Sequence, residues 1–171
     1  MGNNPNSDGY FMTAPAFPQG LNEYERDSML GQEARRYIFE NPALFFMRGI
    51  KKALLLHVSE TIAVHWNAEG IKQRFGESAI FPLKLLTAGF WTATLLFAFA
   101  GLFVMAKEHG IIYTLANPAV LTWAYFTAFY SIFFVSDRYH IPSHPFIAML
   151  AANAILFVAK RTQQNAIEVQ R

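Results

Sequence analysis

Apolar residues run through the second half of the chain in long uninterrupted stretches and through the first half only in stripes. Residues 85–106 hold 22 positions without a charged side chain, residues 110–136 hold 27, and residues 146–159 hold 14. A bilayer core about 30 Å thick takes roughly 20 apolar residues of helix, so these stretches predict three membrane-spanning helices. In 85–106 the Leu, Phe and Val side chains each favour insertion, and no charge opposes them. Asn117-Pro118 has the form of an N-cap and a first-turn proline, which sets the second span at 118–135, rising about 27 Å. The third follows the helix-breaking run 141–145 and covers 145–160. It is short, so Lys160 and Arg161 must snorkel to the head groups.

Before residue 81 the pattern is amphipathic. Asn22 with Glu25 three positions on forms a capping-box start, and Leu30, Ala34, Tyr37 and Ile38 recur at helical spacing until Asn41-Pro42. This predicts a helix of about 19 residues. A second begins at Pro42, with Leu44, Phe45, Phe46, Met47, Ile50, Ala53 and Leu54 on a broad apolar face and Arg48, Lys51 and Lys52 on the other. Such a helix can lie in the membrane interface with its cations at phosphate level, or it can pack on other helices with its cations solvated. From 59 to 76 the pattern weakens, which predicts loop or short helix. The fold class that follows is all-α. An N-terminal part, 1–80, consists of loop and amphipathic or interfacial helices, and a membrane domain, 81–171, carries spans near 85–106, 118–135 and 145–160 and a short tail.

Composition sharpens the division. The chain is 53% apolar and only 15% charged, against about a quarter charged in ordinary soluble domains. Seventeen of its 26 Asp, Glu, Lys and Arg residues fall in the first 80 positions. That excludes an ordinary soluble enzyme, and the lack of cysteine excludes a disulfide scaffold or a Cys-ligated metal module. A net charge of +2, with bases and acids interleaved, gives no footprint for nucleic acid. The first 20 residues are rich in Asn, Pro and Gly and carry no apolar core of a signal peptide. Lys72, Arg74, Lys84 and Arg138 flank the spans on one side and Lys107, Lys160, Arg161 and Arg171 on the other, so the positive-inside count is tied.

The sharpest local chemistry lies in Asp137-Arg138-Tyr139-His140-Ile141-Pro142. An arginine at a helix centre costs about 2.5–3.5 kcal/mol, so Arg138 belongs at the membrane boundary or in a wet cavity. There it can grip the phosphate of a lipid-linked donor beside Tyr139, or it can be a snorkelling anchor paired with Asp137. His140 and His144 are four apart, but Pro142 and Pro145 break the regular helix that a zinc-binding HExxH pair needs, so no metal site is expected. Glu23, Glu25, Asp27 and Glu33 offer carboxylates for acid–base work, but acids in the first turn of a helix are expected from its dipole, and Glu33 is a polar-face residue. Asn153 is expected to hydrogen-bond across helices, with Ala148 and Ala152 flanking a close contact, and Trp91 and Trp123 to pack inside the spans.

Gly2-Asn3-Asn4-Pro5, Gly9-Tyr10, Asn22-Glu23-Tyr24-Glu25-Arg26-Asp27, Ala34, Tyr37-Ile38, Asn41-Pro42 and Arg138-Tyr139-His140-Ile141-Pro142 before Pro145-Phe146 follow one another in a telling order. In order and spacing they resemble the C-terminal part of polytopic glycosyltransferases of the GT-C fold, related to protein O-mannosyltransferases and lipid A aminoarabinose transferases. The resemblance implies transfer of a sugar from a polyprenyl-phosphate carrier to an extracytoplasmic acceptor in a bacterial inner membrane. Residues before the first span would then be extracytoplasmic and the tail from Lys160 cytoplasmic. It also implies that Arg138 and Tyr139 line the donor's lipid-phosphate cavity and that residues 3–27 lie near the acceptor. Family members have many more spans and carry their catalytic acid in an earlier loop. The expectation is therefore a C-terminal portion whose catalytic residues lie elsewhere, needing a polytopic partner chain, with no cofactor, metal or nucleic acid. At His140 a basic residue is commoner in the family. The other class left open is a non-catalytic small membrane protein, a remnant or an interaction subunit, in which Arg138-Tyr139 only anchors.

Overall fold

The computed structural model describes residues 20–133 and 136–169, and all regular structure among them is helical. In chain order the helices are α1 (Glu23–Glu40), α2 (Pro42–Leu55), α3 (Ile62–Trp66), α4 (Ala68–Phe75), a 3-10 turn (Glu77–Ala79), α5 (Ile80–His109), α6 (Ile111–Ala116), α7 (Pro118–Ile132), a second 3-10 run (Asp137–Ser143) and α8 (His144–Val169). The chain divides into two units. One comprises Met1–His57 with Thr127–Tyr139, the other Val58–Phe126 with His140–Arg171.

In the first unit, α1 starts on the expected capping box. The Glu25 amide donates to Asn22 Oδ1 at 2.8 Å while the Asn22 amide donates to Glu25 Oε2 at 2.9 Å, satisfying two of the donors that a helix start leaves over. Asn41 ends it, donating its amide to the Tyr37 carbonyl, and Pro42 opens α2 where a missing N–H costs nothing. Along α2, Phe46, Met47, Ile50 and Leu54 are exposed, so this chain leaves their apolar surface uncovered.

The second unit is organised by α5 and α8. Among the described residues, two helical runs are long and apolar enough to cross a membrane: Glu77–His109 and Arg138–Ile167. Only 17% and 28% of their apolar windows are buried by the chain, which separates them from the core helix of a soluble domain. Both outrun the stretches 85–106 and 145–160, because neither Lys84 nor Lys160 interrupts a helix that is otherwise well formed. The apolar stretch 110–136 is cut in two at Asn117. There Asn117 Oδ1 accepts from the Ala119 amide at 2.9 Å, the expected N-cap, and α7 runs 15 residues to Ile132. At about 1.5 Å per residue that is roughly 22 Å, shorter than the expected span; residues 134–135 lie outside the described part. Gly110 turns the chain between α5 and α6 at φ 89°, a conformation that favours glycine.

Helices α5 and α8 meet backbone to backbone. Trp91 and Ala98 of α5 pack with Ile147, Leu150 and Ala151 of α8, and Asn153 Nδ2 donates to the Gly101 carbonyl at 3.2 Å. Small residues permit this approach, and the amide bond crosses the contact as expected for Asn153. The expected small flanks, however, are not the ones used. Ala148 and Ala152 are exposed, while Ala151 and Ala154 are buried, so the contact lies on a neighbouring face of α8. The face is centred by Ile147, Leu150 and Ala154, a spacing of three and four that keeps one side of a helix toward its partner. Trp91 is buried as expected, and Trp123 is partly buried against the same cluster.

Candidate functional site

In the first unit, the second 3-10 run holds Arg138 and Tyr139. Arg138 is exposed and donates through Nη2 to the Tyr139 hydroxyl at 3.0 Å, with its guanidinium carbon 5.0 Å from the Tyr139 ring centroid. Tyr139 in turn stacks on Tyr130 near the end of α7, centroids 4.9 Å apart and planes 23° from parallel. A guanidinium lying over one aromatic ring that rests on another loses little rotamer freedom when it takes a phosphate. The alternative pairing of Arg138 with Asp137 falls on a side chain outside the described part, as does the segment 2–10.

The basic residues of α2 do not share one environment. Lys51 is exposed, Arg48 lies half-buried with its guanidinium carbon 5.5 Å from the Tyr37 ring centroid, and Lys52 is buried. Lys52 Nζ donates to the Phe133 carbonyl at 2.7 Å, just past the end of α7, where a cation meets the negative end of the helix. Lys52 therefore departs from the solvated or interfacial position expected for it. It lies seven positions after the half-buried Phe45 and four before the buried Leu56, a spacing that keeps these residues on one inward side.

Burial, and next the charge of Arg48, pushes the Lys52 ammonium down to about 8 from the ordinary 10.5. In the unfolded chain it titrates at the ordinary value, so between about 8 and 10.5 the unfolded state binds more protons and stability rises with pH. Thermal unfolding of the detergent-solubilised protein beside Lys52→Met checks this. The wild type is expected to gain on the variant as pH climbs through that window, and a pH-independent difference would remove the charged lysine from the buried position. Burial also holds His57 below its usual value, while its Nδ1, 2.9 Å from the Ala53 carbonyl, works in the opposite direction.

The second unit contains a cluster that sequence spacing did not disclose. Glu60 sits in the short irregular segment ahead of α3, His140 in the last turn of the second 3-10 run, and His144 at the start of α8. His140 Nε2 lies 2.5 Å from Glu60 Oε2, and His144 Nε2 lies 3.6 Å from the same oxygen. The two imidazoles are 4.8 Å apart, centroid to centroid, and both rest on the buried Trp91 ring, at 4.6 Å for His140 and 4.7 Å for His144. His140 is fully buried, and Ser143 Oγ donates to its carbonyl at 2.6 Å, bracing the turn.

The backbone here is as irregular as Pro142 and Pro145 predicted, yet the two histidines still meet. The 3-10 run passes directly into α8, so four residues from His140 bring the chain back to the same side. Pro145 falls in the first turn of α8, where it needs no donor. The His140–His144 spacing was the available signal. Glu60, 80 positions from His140, carried none. Among the described residues, Glu60, His140 and His144 are the group that could hold a metal ion, one ligand atom from each within 4.8 Å of the others.

Comparison with protein-family models, with curated proteins and with solved structures found no match.

Proposed function

We propose that this chain is the C-terminal portion of a membrane glycosyltransferase. It would move a sugar from a polyprenyl-phosphate donor to an extracytoplasmic acceptor, with Arg138 and Tyr139 at the donor's phosphate. The observation that carries the reading is an exposed guanidinium, braced by Tyr139 over Tyr130, six residues ahead of the long apolar α8. A lipid phosphate sits at just such a boundary between apolar helix and water, and arginine meets its oxygens two at a time. The resemblance of the order of short motifs to that of GT-C enzymes supports the same reaction class.

In this reading α5, α7 and α8 are the three spans of an inner-membrane protein, with the N-terminal part extracytoplasmic and the tail cytoplasmic. The roughly 22 Å of α7 falls short of a hydrocarbon core of about 30 Å, and local thinning of the bilayer makes up the difference. The apolar face of α2 lies along the membrane surface, with Lys51 reaching the head groups. The catalytic carboxylate comes from a polytopic partner or from further spans of the enzyme, and no acid of this chain is given that role.

Reconstitution of the chain in lipid nanodiscs, with native mass spectrometry of bound polyprenyl monophosphate against neutral polyprenol, tests the reading. Retention of the phosphate form over the alcohol, reduced in Arg138→Ala, is the expected result. Equal retention of both, unaffected by the substitution, would favour the non-catalytic alternative in which Arg138 is only a membrane anchor.

A further inference from the structure

We propose that Glu60, His140 and His144 together bind a zinc ion, tying the segment before α3 to the start of α8. The inference stands on its own and does not depend on the glycosyltransferase reading. Two imidazole nitrogens and one carboxylate oxygen form a donor set that zinc accepts readily, leaving a fourth position for water or an anion. The chain has no cysteine, so no thiolate competes for the metal.

Geometry supports the assignment. Four-coordinate zinc with bonds of about 2.0–2.2 Å sets neighbouring ligand atoms roughly 3.3 Å apart. The Glu60 oxygen stands 2.5 Å from one imidazole nitrogen and 3.6 Å from the other, values on either side of that spacing. The three ligand atoms all lie within 4.8 Å of one another, so small movements of the Glu60 carboxylate and the two imidazoles would bring them to that spacing. Both nitrogens are Nε2, and both rings are already turned toward the one carboxylate by their contact with Trp91. This ordering is in place before any ion arrives, so little freedom remains to be lost on binding.

Access fits as well. The His140 side chain is fully buried, but those of His144 and Glu60 keep 33% and 19% of their surface, which opens one side of the cluster for ion entry and for a fourth ligand. Glu60 and His140 are 80 residues apart in sequence, so a bound ion would close a long loop within this unit. Closure of that kind adds rigidity where α3 and α8 begin.

The test uses the full chain purified in detergent without a polyhistidine tag, stripped with chelator and titrated with zinc and, separately, with cobalt(II). One equivalent of zinc is expected to survive dialysis, and cobalt is expected to give the visible absorption of a four-coordinate site that zinc then bleaches. His144→Ala and Glu60→Gln should each weaken binding by more than the roughly 10–100-fold of an outer-shell change, while His65→Ala and His109→Ala should leave it unaltered. Circular dichroism of each variant separates loss of a ligand from loss of the fold. Failure of the wild type to retain zinc, or equal binding by well-folded His144→Ala, would overturn the proposal and leave a hydrogen-bonded carboxylate–imidazole group.

Discussion

Arg138→Ala is expected, on the proposed glycosyltransferase reading, to lower sugar transfer at least a hundredfold while leaving the chain inserted and helical. Two charge-assisted hydrogen bonds from one guanidinium to a phosphate are worth about 1.5–3 kcal/mol each. Their joint loss, about 3–6 kcal/mol, corresponds to roughly a hundredfold to ten-thousandfold. Arg138→Lys keeps the charge but loses the planar fork, so it should fall between wild type and alanine. Tyr139→Phe removes the hydroxyl that accepts from Nη2 and keeps the ring under the guanidinium, and its effect should be the smallest of the three. The loss should fall on kcat/KM for the lipid donor, with KM for the acceptor unchanged. Undiminished transfer by Arg138→Ala would take this residue out of the site.

The largest structural effect is expected at Gly101. A Cβ there would lie 1.9 Å from the Leu150 carbonyl oxygen and 2.9 Å from its carbon. Both are backbone atoms of α8, which cannot swing aside as a side chain can. Gly101→Leu must therefore push α5 and α8 apart, breaking the bond from Asn153 to the Gly101 carbonyl and loosening the contact around Ala98, Leu150 and Ala151. Overpacking of this kind costs about 1–3 kcal/mol, and more where the backbone itself has to move. In detergent the melting temperature should drop by several degrees or the cooperative transition should vanish. Gly89→Ala is the matched control. Nothing lies within 4 Å of a Cβ at that position, and alanine is the better helix former, so it should be neutral or mildly stabilising. Equal melting of the two variants would contradict the α5–α8 contact.

What the sequence disclosed and what it hid follow from the range of each interaction. The capping box of Asn22 and Glu25, the Asn117 cap and the proline starts at 42 and 118 involve neighbours in sequence, and local patterning suffices to read them. Long apolar stretches likewise declare α5 and α8, since helix length follows from the run of uncharged residues. Asn153 was legible because a polar amide in an apolar helix needs a partner, though the choice between the Ala148–Ala152 and Ala151–Ala154 faces was not. An all-apolar helix has almost no amphipathic stripe to tell one side from another. Lys52 misled because a cation is ordinarily solvated, whereas here the carbonyl at the end of α7 receives it. Glu60 stayed hidden because its histidines lie 80 and more residues away, joined to it only by the tertiary fold.

The central claim, a membrane glycosyltransferase working on a polyprenyl-phosphate sugar, is tested most directly by purifying the tagged chain from its native membranes in mild detergent. Mass spectrometry then identifies the proteins and lipids that come with it. The account predicts polytopic sequence carrying a carboxylate-bearing extracytoplasmic loop, together with a retained polyprenyl phosphate. Recovery of the 19.4 kDa chain alone, with no lipid phosphate bound, would contradict it.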